Sequence, residues 1–164
     1  MKEYIQPFIK VCKKVFQDFV GQTVEAKLPY LMERDKKVKE WDVSAIIGLT
    51  GEARGAVVIS MKKDLAVKTT TVLTGKEYAE LDDDVVDAIG ELVNIIAGNV
   101  KQELEEAYKL IISLPTIVTG KEHSINWPDS QTRIICIPFT ASDADSFTLS
   151  VALEAVKESG SKYT

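Results

Sequence analysis

The 164-residue sequence predicts an α+β domain in which three helices pack on an antiparallel or mixed sheet of about six strands. A long helical pattern occupies the middle of the chain, and segments rich in Val and Ile lie before and after it. Links of hairpin length join several of these segments. A regularly alternating parallel fold would need more crossover helices than the sequence offers.

The composition is that of one soluble globular domain. Apolar residues make up 45% and charged residues 27% of the chain, which is ordinary for such proteins. We expect a single domain over residues 1–157, followed by a short polar tail at 158–164. The net charge of −5 argues against nucleic acid or anionic membrane as a general partner. No apolar run approaches the roughly 20 residues of a membrane-spanning helix.

The two cysteines predict a cytoplasmic protein. Cys12 and Cys136 lie far apart in the sequence and share no metal-binding or redox spacing. We therefore expect two reduced thiols, with a disulfide as the alternative. The N-terminus carries charges where a signal peptide would have an unbroken apolar block.

The first third of the chain predicts a helix and a strand. Apolar side chains recur at helical spacing over residues 2–20, with Pro7 near the start and Gly21 as the stop. Residues 23–31 alternate as a strand does. Pro29 in this segment indicates a bulge or an edge position.

A hairpin and a second helix follow. Residues 42–49 and 53–61 are both rich in Val and Ile, and the TGEARG sequence between them supplies turn residues. Residues 63–73 predict a short helix that ends at Gly75, although three consecutive threonines lower its helix propensity.

The longest helical pattern covers residues 82–106 and begins with three aspartates, which favour a helix N-terminus. Apolar residues at steps of four, three, four and four form one stripe for the core. They are Ile89, Val93, Ile96, Val100 and Leu104. Three strands are predicted after this helix, over residues 109–119, 132–140 and 146–155.

The remaining conspicuous residues have ordinary structural interpretations. His123, the only histidine, lies in a predicted charged loop of residues 121–131, and we expect a surface residue there, not a base or a ligand. Trp41 and Trp127 are expected to be half-buried packing residues. Four serines lie in strand patterns without the context of a catalytic nucleophile. They are Ser44, Ser60, Ser113 and Ser150.

The candidate functional residues lie on the long helix, opposite its apolar stripe. At about 100° per residue, Asp87, Glu91, Asn94 and Gly98 form one narrow row, called the outer row below. An exposed Glu beside an exposed Asn is usually only a solvated face. However, Asn94 is a poor helix former, and Gly90 and Gly98 each cost about 1 kcal/mol relative to Ala. These glycines leave room either for another molecule or for close packing within the domain.

The pattern Asp87-x3-Glu91-x2-Asn94, its continuation IIAGN and Pro115, 21 positions after Asn94, resemble the signature of the CheC, CheX and FliY phosphatases. These proteins act on the phosphorylated response regulator CheY of bacterial chemotaxis. The order of elements agrees over nearly the whole chain. The motif occurs once in this sequence. In this respect the chain resembles the CheX branch of the family and differs from the members that carry the motif twice. The resemblance implies a homodimer.

The resemblance also implies roles for these residues. Asn94 would hold the water that attacks an aspartyl phosphate, and Glu91 would pair with the active-site lysine of the regulator. Asp87, Gly90, Gly98 and Pro115 would belong to the surface that binds the regulator. The protein would have no metal or cofactor of its own, because the Mg²⁺ would be bound by the regulator.

Two other functions remain open from the sequence. One is a non-catalytic module that binds a phosphorylated response regulator or another signalling protein. The other is a structural or dimerisation domain in which the outer row is incidental. The presence of both Glu91 and Asn94 favours catalysis, because a pure binding module has no need of the amide.

Overall fold

In the computed structural model of this chain, which describes residues 4–33, 40–127, 132–141 and 145–156, three helices pack on one face of an eight-stranded sheet. The predicted α+β class is confirmed. The predicted tail at 158–164 lies outside the described residues. No helix in those four ranges is both long and apolar enough to cross a membrane.

The helices form where the sequence predicts them. Helix α1 spans Ile5–Val15 and continues as a π-helical turn over Phe16–Val20, which ends at Gly21 with φ 70°. Helix α2 spans Lys63–Thr74, and helix α3 spans Asp83–Glu103. A positive φ costs glycine nothing, so Gly21 ends the first helix without strain.

All the strand pairings are antiparallel, so the antiparallel alternative is confirmed for the described residues. The order in the sheet is β1-β7-β8-β4-β3-β5, with β2 paired to β7 and β6 paired to β3. The strands are β1 Val24–Ala26, β2 Tyr30–Leu31, β3 Trp41–Gly51, β4 Ala53–Met61, β5 Leu110–Ile112, β6 Thr116–His123, β7 Ile135–Ala141 and β8 Ser146–Ala155.

Two of the six predicted strands are each divided at a proline, which accounts for the eight observed in the described ranges. The predicted strand at 23–31 forms β1 and β2, with Pro29 between them. The predicted strand at 109–119 forms β5 and β6, with Pro115 immediately before β6. Proline has no N–H to donate to a neighbouring strand, so the pairing is interrupted there.

The prediction of a loop over residues 121–131 is wrong at its start, because β6 continues to His123. The pairing of β6 with β3 shifts in register between Trp41 and Val43, which indicates a bulge. Gly120 lies in this bulge with φ 144°. A bulge inserts unpaired residues and changes the direction of the side chains that follow.

The core lies between the helices and the large apolar side chains on one face of β3, β4, β7 and β8. Three aromatic rings stack in it, with centroid distances of 4.5 Å between Phe16 and Phe147 and 4.9 Å between Phe139 and Phe147. The alternate positions on the same strands include several small polar side chains, among them Ser44 and Ser60. The two faces of the sheet therefore differ in chemistry.

The two cysteines are free and buried, one in the helix layer and one on β7. Burial raises the pKa of the Cys12 thiol and also the pKa of the Cys136 thiol. Both side chains therefore remain neutral thiols at physiological pH.

Candidate active site

Helix α3 is held at its N-terminus by a cap and along its length by the core. The backbone N–H of Val85 donates to Oδ1 of Asp82 over 3.0 Å, which satisfies a group that the helix leaves unpaired. Four members of the predicted apolar stripe are 0–2% exposed and Leu104 is 6% exposed. The prediction of an apolar stripe is confirmed. Because the stripe is buried in the core, the opposite side of the helix faces solvent.

The outer row lies at the surface as predicted. Asp87 and Glu91 are exposed, and Asn94 and Gly98 are half-buried. Glu91 and Asn94 are about one helical turn apart, so their side chains project from the same part of the helix surface. The helix backbone holds both in a fixed spatial relationship.

Within the part of the chain that the structure describes, the side chains of Glu91 and Asn94 form no hydrogen bond or ion pair. The other asparagine of the helix behaves differently, because Nδ2 of Asn99 donates to the carbonyl oxygen of Ile95 over 2.8 Å. The amide of Asn94 therefore keeps its donors and its acceptor for water or for another molecule.

The two glycines of the helix have different surroundings. A Cβ placed on Gly90 would lie 3.2 Å from Cδ1 of Ile117 and 3.5 Å from Cγ of Pro115. Gly90 is buried, so the structure supports close packing within the domain for this residue. A Cβ placed on Gly98 would meet no atom within 4 Å. Gly98 therefore leaves open space on the outer row.

Pro115 contributes to the site through the connection between β5 and β6. This connection is held to β3, because Oγ of Ser113 accepts from the N–H of Gly48 over 2.8 Å and the N–H of Ser113 donates to Gly48 over 3.0 Å. Pro115 packs on Gly90, while Leu114 beside it is 88% exposed. The β5–β6 connection thus presents a large apolar side chain to solvent. The sequence pattern gave no means of distinguishing this side chain from that of an ordinary strand residue.

The aspartates at the start of α3 have structural roles. Asp82 caps the helix, and Oδ2 of Asp84 accepts from the Tyr78 hydroxyl over 3.3 Å. Among the described residues, no group of three or more His, Cys, Asp or Glu side chains is arranged to hold a metal ion. The exposed carboxylates of Asp83 and Asp87 add negative charge to the N-terminal half of the outer surface.

Comparison with known proteins places the chain in a family. The sequence model of chemotaxis phosphatase CheX matches residues 43–140, a segment that includes the outer row and Pro115. The CheY-P phosphatase CheX of Thermotoga maritima is 31% identical over 112 residues, which are 67% of this chain and 70% of that protein.

Solved structures agree with this match. The CheX structure from Desulfovibrio desulfuricans has a TM-score of 0.84 at 27% identity and covers 93% of this chain and 100% of its own. A CheX–CheY–BeF₃–Mg²⁺ complex from Borrelia burgdorferi has a TM-score of 0.76 at 26% identity and covers 93% of this chain and 98% of its own. This chain belongs to the CheX family of chemotaxis phosphatases.

Proposed function

We propose that this protein hydrolyses the aspartyl phosphate of a CheY-type response regulator, and that Asn94 and Glu91 are the residues that act. The observation that carries the proposal is the free amide of Asn94, which lies on a rigid, well-anchored helix beside a free carboxylate. The relative from Thermotoga maritima is named a CheY-P phosphatase, which supports phosphorylated CheY as the class of substrate.

The chemistry suits an amide. An aspartyl phosphate is a mixed anhydride, and water hydrolyses it by forming a new P–O bond while the bond to the carboxyl oxygen breaks. Such a reaction requires mainly a positioned water and neutralised charge. Asn94 can accept a hydrogen bond from the water and donate another without ionising. A carboxylate at the same position would place negative charge against the phosphoryl group.

Glu91 has the complementary role of anchoring the regulator. Its exposed carboxylate lies in an acidic part of the outer surface, and no Lys or Arg of the described residues pairs with it. A lysine of the regulator would meet an acceptor there at little structural cost, and the resulting ion pair would set how far Asn94 enters the active site. We assign the Mg²⁺ that neutralises the phosphoryl group to the regulator.

The surface that contacts the regulator comprises the outer row and the β5–β6 connection in this proposal. Asp87 lies at one end of the row, and the open space at Gly98 allows the partner's backbone to approach. Pro115 is held against Gly90 at the flank, so Gly90 acts by positioning this connection. Leu114 offers exposed apolar area on the same connection.

The competing function is a module that binds the phosphorylated regulator without hydrolysing it. Single-turnover loss of phosphate from a ³²P-labelled regulator, with and without this protein, separates the two. Catalysis predicts faster loss with this protein, whereas a pure binding module would leave the rate unchanged or slow it.

We also propose that the protein is a homodimer located in the cytoplasm. Both free cysteines suit a reducing compartment. Exposed apolar side chains lie near both edges of the sheet. Leu28, beside β2, is 85% exposed, and Ile111, on β5, is 64% exposed. Edge strands of this kind can join two sheets across a two-fold axis. Sedimentation equilibrium of the wild type, Leu28→Asp and Ile111→Asp tests the dimer and identifies its edge, and a monomeric wild type contradicts it.

A further inference from the structure

Two irregularities interrupt the pairing of β3 with β5 and β6, and a side chain bridges each of them. At the first, in the bulge near Gly120, Nε2 of His123 lies 2.7 Å from Oγ of Ser44. The prediction that His123 is a surface residue is thus wrong, since it is half-buried with both ring nitrogens hydrogen-bonded. The second irregularity is the β5–β6 connection, residues 113–115, which packs on helix α3.

The β5–β6 connection contains one residue more than regular pairing allows. The last pair of β5 is made at Leu49 and the first pair of β6 at Ile46, so the three residues 113–115 lie opposite only two residues of β3. Pro115 also has no N–H to donate to β3. An extra residue of this kind is left out of the strand pairing. Leu114, which is 88% exposed, is therefore the residue that the connection presents to solvent.

The hydroxyl of Ser113 holds the connection to β3 at this break. The N–H of Ser113 donates to the carbonyl oxygen of Gly48 over 3.0 Å, as in a regular antiparallel pair. The reciprocal bond goes to the side chain, because the N–H of Gly48 donates to Oγ of Ser113 over 2.8 Å. The hydroxyl donates its own hydrogen to the carbonyl oxygen of Leu114 over 2.9 Å. One hydroxyl thus links β3 to the backbone of the exposed leucine.

Helix geometry places this connection on the Asn94 side of the outer row. Pro115 packs on Gly90, which lies four residues before Asn94 and therefore one turn away on the same side of α3. Glu91, in contrast, is about 100° further round the helix than Gly90. A regulator that receives the amide of Asn94 therefore approaches the flank of the helix on which the connection is packed.

We propose that Leu114 is an apolar contact for the regulator and that Ser113 is the positioning residue that orders it before binding. The contact rests on the proposed function, because its partner is the regulator of that function. Ordering an exposed segment opposes association, so a connection that is already held in place binds more tightly. Burial of the leucine side chain against an apolar part of the regulator then adds affinity. The contact acts on binding, because it leaves Asn94 and Glu91 unchanged.

The test is a double-mutant cycle in the affinity for a CheY-type regulator that carries beryllofluoride and Mg²⁺, a mimic of the phosphorylated form that is not hydrolysed. Leu114→Ala should weaken binding about tenfold. Ser113→Val should weaken it about threefold, whereas Ser113→Thr, which keeps the hydroxyl, should bind like the wild type. In the Leu114→Ala background, Ser113→Val should have no further effect.

The matched control is Thr50→Val. The hydroxyl of Thr50 also bonds β5, since it donates to the carbonyl oxygen of Ile111 over 3.5 Å, but it lies outside the connection. This variant should bind the loaded regulator like the wild type. An equal effect of Ser113→Val with and without Leu114 would overturn the positioning role. Unchanged affinity in Leu114→Ala would overturn the contact itself.

The rate of phosphate release separates failure of this contact from failure of the proposed function. Leu114→Ala and Ser113→Val should need more phosphorylated regulator for half-maximal rate and should reach the wild-type rate at saturation. A lower rate at saturation would contradict a role in binding alone. A wild type that binds the loaded regulator without speeding phosphate release would overturn the proposed function, while the affinities would still decide the role of Leu114. A wild type that does not bind the loaded regulator would overturn both.

Discussion

Gly90 of α3 lies directly against Pro115, so that a Cβ on the glycine would be 3.5 Å from Cγ of the proline. This contact joins the helix that carries Asn94 to the connection between β5 and β6. The glycine is one turn before Asn94, so the connection lies along the flank of the proposed catalytic residue. The sequence signature therefore contains a packing contact in addition to its polar residues.

Substitutions of Gly90 should show that this contact limits side-chain size. Gly90→Ala gains about 1 kcal/mol of helix propensity, and the end of the Ile117 side chain can move away from the new methyl group. We expect stability near the wild type or slightly above it. Gly90→Val should lose roughly 1–3 kcal/mol by overpacking against Pro115. Urea denaturation measures both, and equal stability of the two variants would show that the contact is loose.

Gly98→Ala should separate stability from activity. A Cβ at this position meets no atom within 4 Å, so the variant should gain roughly 0.5–1 kcal/mol in the free energy of unfolding. If the partner approaches the outer row closely, the added methyl group should lower the dephosphorylation rate about tenfold at subsaturating regulator. A variant that is more stable and fully active would show that Gly98 is not part of the surface that contacts the regulator.

Glu91→Ala should weaken engagement with the regulator. Loss of one partner of an intermolecular ion pair should raise the regulator concentration for half-maximal rate about tenfold, and it should reduce the sensitivity of the reaction to salt. The measurement is the rate of phosphate release as a function of regulator and salt concentration. Glu105→Ala, at an exposed position beyond the end of α3, is the control. Unaltered kinetics in Glu91→Ala would contradict the anchoring role.

Asp82→Ala should destabilise the protein without changing the chemistry. The substitution removes the side-chain cap on the Val85 N–H, a loss of about 1 kcal/mol. Asp83→Ala, which removes only a favourable charge in the first turn, should cost less. Thermal unfolding compares the two, and equal losses would mean that the capping hydrogen bond contributes nothing beyond charge. Dephosphorylation by folded Asp82→Ala at low temperature should match the wild type.

The sequence predicted helices and strands well where a single pattern, such as the spacing of apolar residues, determines the structure. Helix α3 has a strict apolar stripe, and its core side is buried as expected. The strand predictions were too long, because alternation in sequence does not show where a proline interrupts pairing. Pro29 and Pro115 each mark such an interruption. The end of β6 at His123 was missed, since a bulge hides alternation and the charged residues around it are typical of a loop.

The surface position of Glu91 and Asn94 followed from helix geometry alone. Their proposed roles came from the resemblance, because an exposed amide carries no mark of its function. The different surroundings of Gly90 and Gly98 required the tertiary structure, since identical residues on one helix meet different neighbours. The partnership of Ser44 with His123 also escaped prediction, because the two are 79 positions apart and the bulge brings them together.

The most direct test of the account is single-turnover dephosphorylation of a labelled CheY-type regulator by Asn94→Ala, with Asn99→Ala as the matched control. Asn99 lies on the same helix, outside the outer row, with its amide bound to the Ile95 carbonyl. We predict that Asn94→Ala loses roughly 10²-fold or more in rate while its unfolding curve stays close to that of the wild type. Near-normal turnover by folded Asn94→Ala would contradict the central role of this amide.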